Sequence, residues 1–148
     1  MSETATEIAA PVEVVFAVVA DPTTYPEWLV GAKEIHMVEE HWPEPGARFF
    51  HTVGAGPVTV DDSTSVLEVE APTKLVLEAR AGAVATARVT FRLDRLGEAA
   101  TSVSMEEDAV EGAASHLPSA LIDPPLGARN QQSLQRLKDR IEAGAGGR

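Results

Sequence analysis

The 148-residue chain has no cysteine. It can therefore build no disulfide framework, thiol nucleophile or thiolate metal site, and it suits a reducing compartment. Basic side chains are scarce: 12 Lys and Arg stand against 23 Asp and Glu, for a net charge of −11. Such a surface repels a nucleic-acid phosphate backbone and an anionic membrane alike. Long apolar runs are missing as well, and none approaches the roughly 18 residues of a membrane span. The amino-terminal "MSETATEIAAPVEVVFAVVA" has Glu3 and Glu7 where a secretory leader is basic, and Pro11 and Glu13 interrupt its apolar stretch. The expectation is a soluble cytoplasmic protein with no integral membrane association and no nucleic-acid partner. It forms one domain over residues 1–143, followed by a flexible tail at 144–148.

Catalytic motifs are absent too. His36, His41, His51 and His116 show no ligand spacing on a common helix, so no metal is expected. There is no nucleophile elbow, phosphate-cradling loop or dinucleotide fingerprint, and hence no cofactor to expect. "GAGP" at 54–57 is a hairpin turn, because no helix follows it to make an anion site.

What the chain does have is orderly punctuation. Thr4–Ile8 is a short first strand. "APVEVVFAVVADP" is rich in β-branched residues, which favour strands. Pro11 and Asp21-Pro22 nevertheless frame it at helical length, and Val12, Val15, Phe16 and Val19 then form one apolar stripe. Asp21 caps a second short helix over Thr23–Trp28. Strands follow at Lys33–Glu40, Arg48–Val53, Val58–Glu70, Lys74–Ala81, Val84–Asp94 and Thr101–Val110, with Gly- or Pro-containing breaks between most of them. Connections this short favour antiparallel hairpins. "GAASHLPSALID" is a loop or a short helical turn. A long helix closes the chain, with Asp123 as N-cap and Gly144 as C-cap, spanning roughly 28 Å. Its apolar face runs Leu126, Asn130, Leu134, Leu137, Ile141. The order β-α-α-β-β-β-β-β-β-α makes an α+β fold, a curved antiparallel sheet of about seven strands wrapped around a long C-terminal helix.

The opening "IAAPVEVVFAVVADPTTYPEWLVGAKEI" resembles the start of the START-like, helix-grip superfamily, which includes the birch-pollen-allergen family and the bacterial polyketide cyclase/dehydrase family. The resemblance rests on Ile8, Ala10-Pro11, Glu13, Val15-Phe16, Asp21-Pro22, Tyr25-Pro26 and Trp28, with later echoes at Gly46–Phe49, 66–80, Val89–Leu93, Thr101–Val103 and 133–142. It implies an elongated hydrophobic cavity closed by the last helix. It implies little about activity, since one scaffold serves carriers, receptors and enzymes.

Within that frame the candidate cavity residues are Tyr25, Trp28, Ile35, Met37, Phe49, His51, Val89, Phe91, Val103, Met105, Asn130, Leu134 and Leu137, with Val15 and Val19 as further wall. Trp28 is read as packing for the second helix, and Tyr25, near the rim, as the better ligand contact. Alternation of Thr101, Val103, Met105 and Glu107 turns Glu107 inward, and Asp62 is a second inward candidate. An inward carboxylate is a possible general base, or else a solvated strand-end charge. His51, His116, Glu107 and Arg88 are the catalytic candidates; Arg80, Arg88 and Arg92 equally suit the outer face. Asn130 is an amide on an apolar stripe and needs a partner from backbone, water or ligand. The expected partner is a small hydrophobic molecule, a lipid, polyketide or aromatic metabolite, bound by a carrier or sensor acting as monomer or homodimer. The alternatives are a cyclase/aromatase-type enzyme and a protein-interaction module.

Overall fold

Proline and glycine set most of the element boundaries. The computed structural model describes residues 2–82 and 85–146. Strand β1, Ser2–Ile8, leads into helix α1, Val12–Val19. A 3-10 turn at Pro22–Thr24 runs on into α2, Tyr25–Trp28. Asp21 caps that turn, its Oδ1 accepting from the Thr23 N–H at 3.0 Å. The remaining strands are β2 (Ala32–Val38), β3 (Arg48–Ala55), β4 (Val58–Glu70), β5 (Lys74–Ala81), β6 (Ala85–Gly97) and β7 (Ala100–Glu111). A 3-10 turn at Ala113–His116 precedes the last helix, α3, Ser119–Gly146. Val84, expected to open the sixth strand, lies outside the described residues.

The strands form one antiparallel sheet in the order β1-β7-β6-β5-β4-β3-β2. Its order breaks only where β1, the first strand in the chain, pairs with β7, the last. Gly54 near the β3–β4 turn has φ +148°, and a Cβ there would sit 2.1 Å from the Val58 carbonyl oxygen, so no other residue fits.

Two features of α3 differ from expectation. It starts at Ser119, one turn before Asp123, with the Leu121 N–H bonded to the Pro118 carbonyl at 2.9 Å. It also runs through Pro124, Pro125 and Gly144 to Gly146. Proline lacks the N–H that an interior position uses, which is why the sequence pattern pointed to a start at Asp123. A helix of 28 residues spans about 42 Å at 1.5 Å per residue.

The core sits between α3, α1, α2 and one half of the sheet. Val12, Val15, Phe16 and Val19 are all buried, as the helical stripe requires. Trp28 packs edge-to-face on Tyr25 (5.4 Å) and Phe91 (6.0 Å), with Leu134, Leu137 and Val103 also fully buried in the same core. Polar bonds latch α3 on both sides. On one side Lys138 Nζ donates to the Glu7 carbonyl at 2.8 Å, and Glu142 Oε2 accepts from the Ala9 N–H at 2.8 Å. On the other, the Val30 N–H donates to Ser133 Oγ at 2.9 Å.

Candidate functional site

The inner face of the sheet is filled at one end and empty at the other. The cause lies in side-chain size. Leu75, Phe91 and Leu93 pack solidly beneath Leu134 and Leu137. Further along the same hairpin the inward residues of β5 and β6 are Ala79, Ala81, Ala85 and Ala87. Alanines leave the space unfilled, and a cavity of about 830 Å³ results. That volume lies within the roughly 300–1,000 Å³ of small-molecule sites. The walls come from α2 and the segment after it (Tyr25, Leu29), from β2 (Ile35), from β3 (Phe49, His51, Val53), from β5 to β7 (Leu77, Val89, Phe91, Met105, Glu107) and from α3 (Arg129, Asn130, Arg136). A smaller hollow of about 350 Å³ beside Trp42 is a surface groove away from these residues.

Of the residues anticipated from sequence, Tyr25, Ile35, Phe49, His51, Val89, Phe91, Met105, Glu107 and Asn130 line this cavity. Trp28, Val103, Leu134, Leu137, Val15 and Val19 do not; they are core residues packed behind it. Met37 is 55% exposed on the outside of the sheet. Its strand carries a bulge between Ile35 and Met37, so Ile35 pairs with inward His51 while Met37 pairs with Phe50. A bulge breaks the alternation on which the inward assignment of Met37 relied. Tyr25 lies in the interior rather than at the rim, where its hydroxyl donates to the Val19 carbonyl at 2.6 Å. Burial holds that phenol protonated far into the alkaline range.

The four catalytic candidates separate. His116 is exposed on its 3-10 turn, and Arg88 is exposed on the outer face of β6, in register with Glu78 and Asp108. Asp62, partly buried, accepts from the Ser63 and Gly82 N–H groups at 2.8 and 2.9 Å and is not part of the cavity wall. His51 and Glu107 do reach the cavity. They stand four positions apart in the sheet order and share no hydrogen bond, so neither can act directly on the other.

His51 is 2% exposed. Its Nε2 bonds to Thr64 Oγ1 at 2.9 Å, and its Nδ1 has no hydrogen-bond partner. Burial pushes its pKa below the ordinary value, against a smaller upward pull from the Ser63 backbone and Asp62. The ring is therefore neutral at pH 7. A histidine whose folded pKa is lowered resists the proton that the unfolded chain accepts near pH 6.5. Its contribution to stability is thus full above that pH and declines as pH falls through it. Denaturant titrations at pH 7.5 and 5.5 should show a steeper loss in the native chain than in His51→Gln; equal losses would contradict this assignment.

Glu107 is 7% exposed and receives two donors on one oxygen. Oε1 accepts from Arg129 Nη2 and, at 3.1 Å, from Asn130 Nδ2. A buried carboxylate needs such compensation. This contact also orients the Asn130 amide. A carboxylate that accepts from the amide must face its NH2 group, which leaves Asn130 Oδ1 fully buried without a donor. Adjacent residues of α3 thus hold Glu107 while one acceptor stays unused. Arg129 and the alanine hairpin escaped the sequence reading. The run "ARAGAVATA" at 79–87, small residues inside otherwise bulky strands, was the available signal.

A long helix laid over a seven-stranded antiparallel sheet, with a cavity between them, defines a START-like helix-grip protein. The chain belongs to the polyketide cyclase / dehydrase and lipid transport family, whose model matches residues 2–142. Family and fold fit a protein that binds hydrophobic ligands or is of polyketide cyclase type. Among solved structures, a START superfamily protein from Mycobacterium smegmatis is similar with TM-score 0.79 at 16% identity, covering 95% of this chain and 96% of that one. The Zhui aromatase/cyclase from Streptomyces sp. R1128 is similar with TM-score 0.72 at 18% identity, covering 95% and 91%. A conserved protein from Geobacillus kaustophilus has TM-score 0.73 at 15% identity, covering 95% and 94%. At such identities the likeness concerns the fold. Comparison with curated proteins finds no match. Among the described residues no helix is long and apolar enough to cross a membrane.

Proposed function

We propose that the chain binds a small hydrophobic molecule in this cavity, as a carrier or sensor. The observation that carries this reading is the empty volume of about 830 Å³, walled largely by Leu, Val, Ile, Phe, Met and Ala. Apolar burial at about 25 cal/mol per Å² drives such binding, against the cost of association. Native mass spectrometry of the purified protein, followed by solvent extraction, tests it. The expected result is a bound species of small-molecule mass that is identified as apolar in the extract. Protein that carries no such species and takes up no added lipid or aromatic compound contradicts it.

A second reading, a cyclase/aromatase-type enzyme, draws on His51 and Glu107 both lining one cavity. Across that space they would work on different parts of one substrate, a neutral imidazole at one wall and a carboxylate at the other. Ring closure of a poly-carbonyl substrate at its uncatalysed rate would exclude it.

A further inference from the structure

The charges around the cavity run opposite to those of the whole chain. The protein has 23 acidic and 12 basic residues, yet among the described residues the charged ones lining this cavity are Lys33, Arg80, Arg129, Arg136 and a single acid, Glu107. Two of the cations are already engaged: Arg129 by Glu107, and Arg80 by Glu78 at 3.0 Å. Lys33 and Arg136 are exposed and have no ion-pair partner among the described residues. Both line this cavity, Lys33 from β2 and Arg136 from α3. The Val30 N–H bond to Ser133 Oγ pins the segment after α2 against α3. Lys33 follows three residues after Val30 on β2, and Arg136 lies about one helical turn beyond Ser133 towards the Arg140–Glu27 pair, so the two cations flank that bond from either side.

We infer that the ligand is an amphiphilic organic anion. Its charged head sits at the mouth between Lys33 and Arg136, and its apolar body points inward toward Val89, Phe91 and Met105. This rests on the cavity being the binding site, as proposed above. An anion taken to the cavity interior would lose its hydration, whereas at the exposed mouth it keeps water and gains two cations. The surrounding surface, at −11 overall, repels anions, so attraction at the mouth has to be local. A cationic amphiphile meets the opposite field at this point.

Calorimetric titrations with dodecanoate and dodecanol, below micellar concentrations, test the inference. Native protein should bind dodecanoate about tenfold more tightly than dodecanol, with the advantage shrinking as salt is raised. The double substitution Lys33→Gln/Arg136→Gln should cut that preference, the ratio of the two affinities, to about twofold or less. Both side chains are exposed, so the fold tolerates these changes. The control Arg92→Gln, on the outer face beside Glu106, should keep the full preference. Equal affinity of the native chain for both probes overturns the inference and leaves the hydrophobic cavity standing. A preference that survives in the double variant overturns the assignment to these two residues. Failure of both probes to bind counts against the cavity reading itself.

Discussion

Ala87→Trp should weaken dodecanoate binding by more than about tenfold and leave the protein folded. Small-to-large changes in packed cores normally cost about 1–3 kcal/mol. Here the new side chain enters unfilled space: Ala87 lines the cavity and pairs across the β5–β6 hairpin with Ala79, which also lines it. The indole should occupy room the ligand needs, at a stability cost under about 1 kcal/mol and a thermal midpoint shift under about 4 °C. Leu67→Trp, at an exposed position on β4, is the control and should leave affinity unchanged. Undiminished binding by Ala87→Trp would mean that the ligand sits elsewhere.

Trp28→Ala should have the largest effect on stability. Its ring is fully buried, touches Tyr25 and Phe91 edge-on, and its Nε1 donates to Thr24 Oγ1 at 2.9 Å. Removing a buried Trp side chain costs about 3–5 kcal/mol, because the surrounding groups collapse only partly into the void. For a domain of this size the thermal midpoint should fall by roughly 10–15 °C. Trp42→Ala, at a half-buried residue whose Nε1 bonds the Ala20 carbonyl at 2.7 Å, should cost less. A Trp28→Ala shift smaller than that of Trp42→Ala would contradict the placement of the core.

The segment "DPTTYPEWLVGA" shows how far sequence pattern reaches. Its prolines mark the 3-10 turn and α2, and Trp28 packs in the core as read. Tyr25, judged a rim residue from its amphipathic ring, is interior because the Val19 carbonyl offers its hydroxyl a buried partner. Strand alternation located the inward face of β7 through Glu107, since regular pleating fixes direction. It failed at Met37, where the bulge inverts that direction. The α1 stripe was legible because four apolar positions recur at helical spacing. The start of α3 was not, because prolines inside the helix mimic its beginning. Asn130 stood out as a polar residue on an apolar stripe, but its partner, Glu107 on β7, depends on tertiary packing that local pattern does not encode.

Isotope-filtered NOE spectroscopy of the protein with bound dodecanoate tests the central claim most directly. A ligand inside the helix-grip cavity should give contacts from its chain protons to the Met105 methyl and the Val89 methyls, both on the cavity wall. Contacts confined to outward groups such as the Met37 methyl would contradict the account.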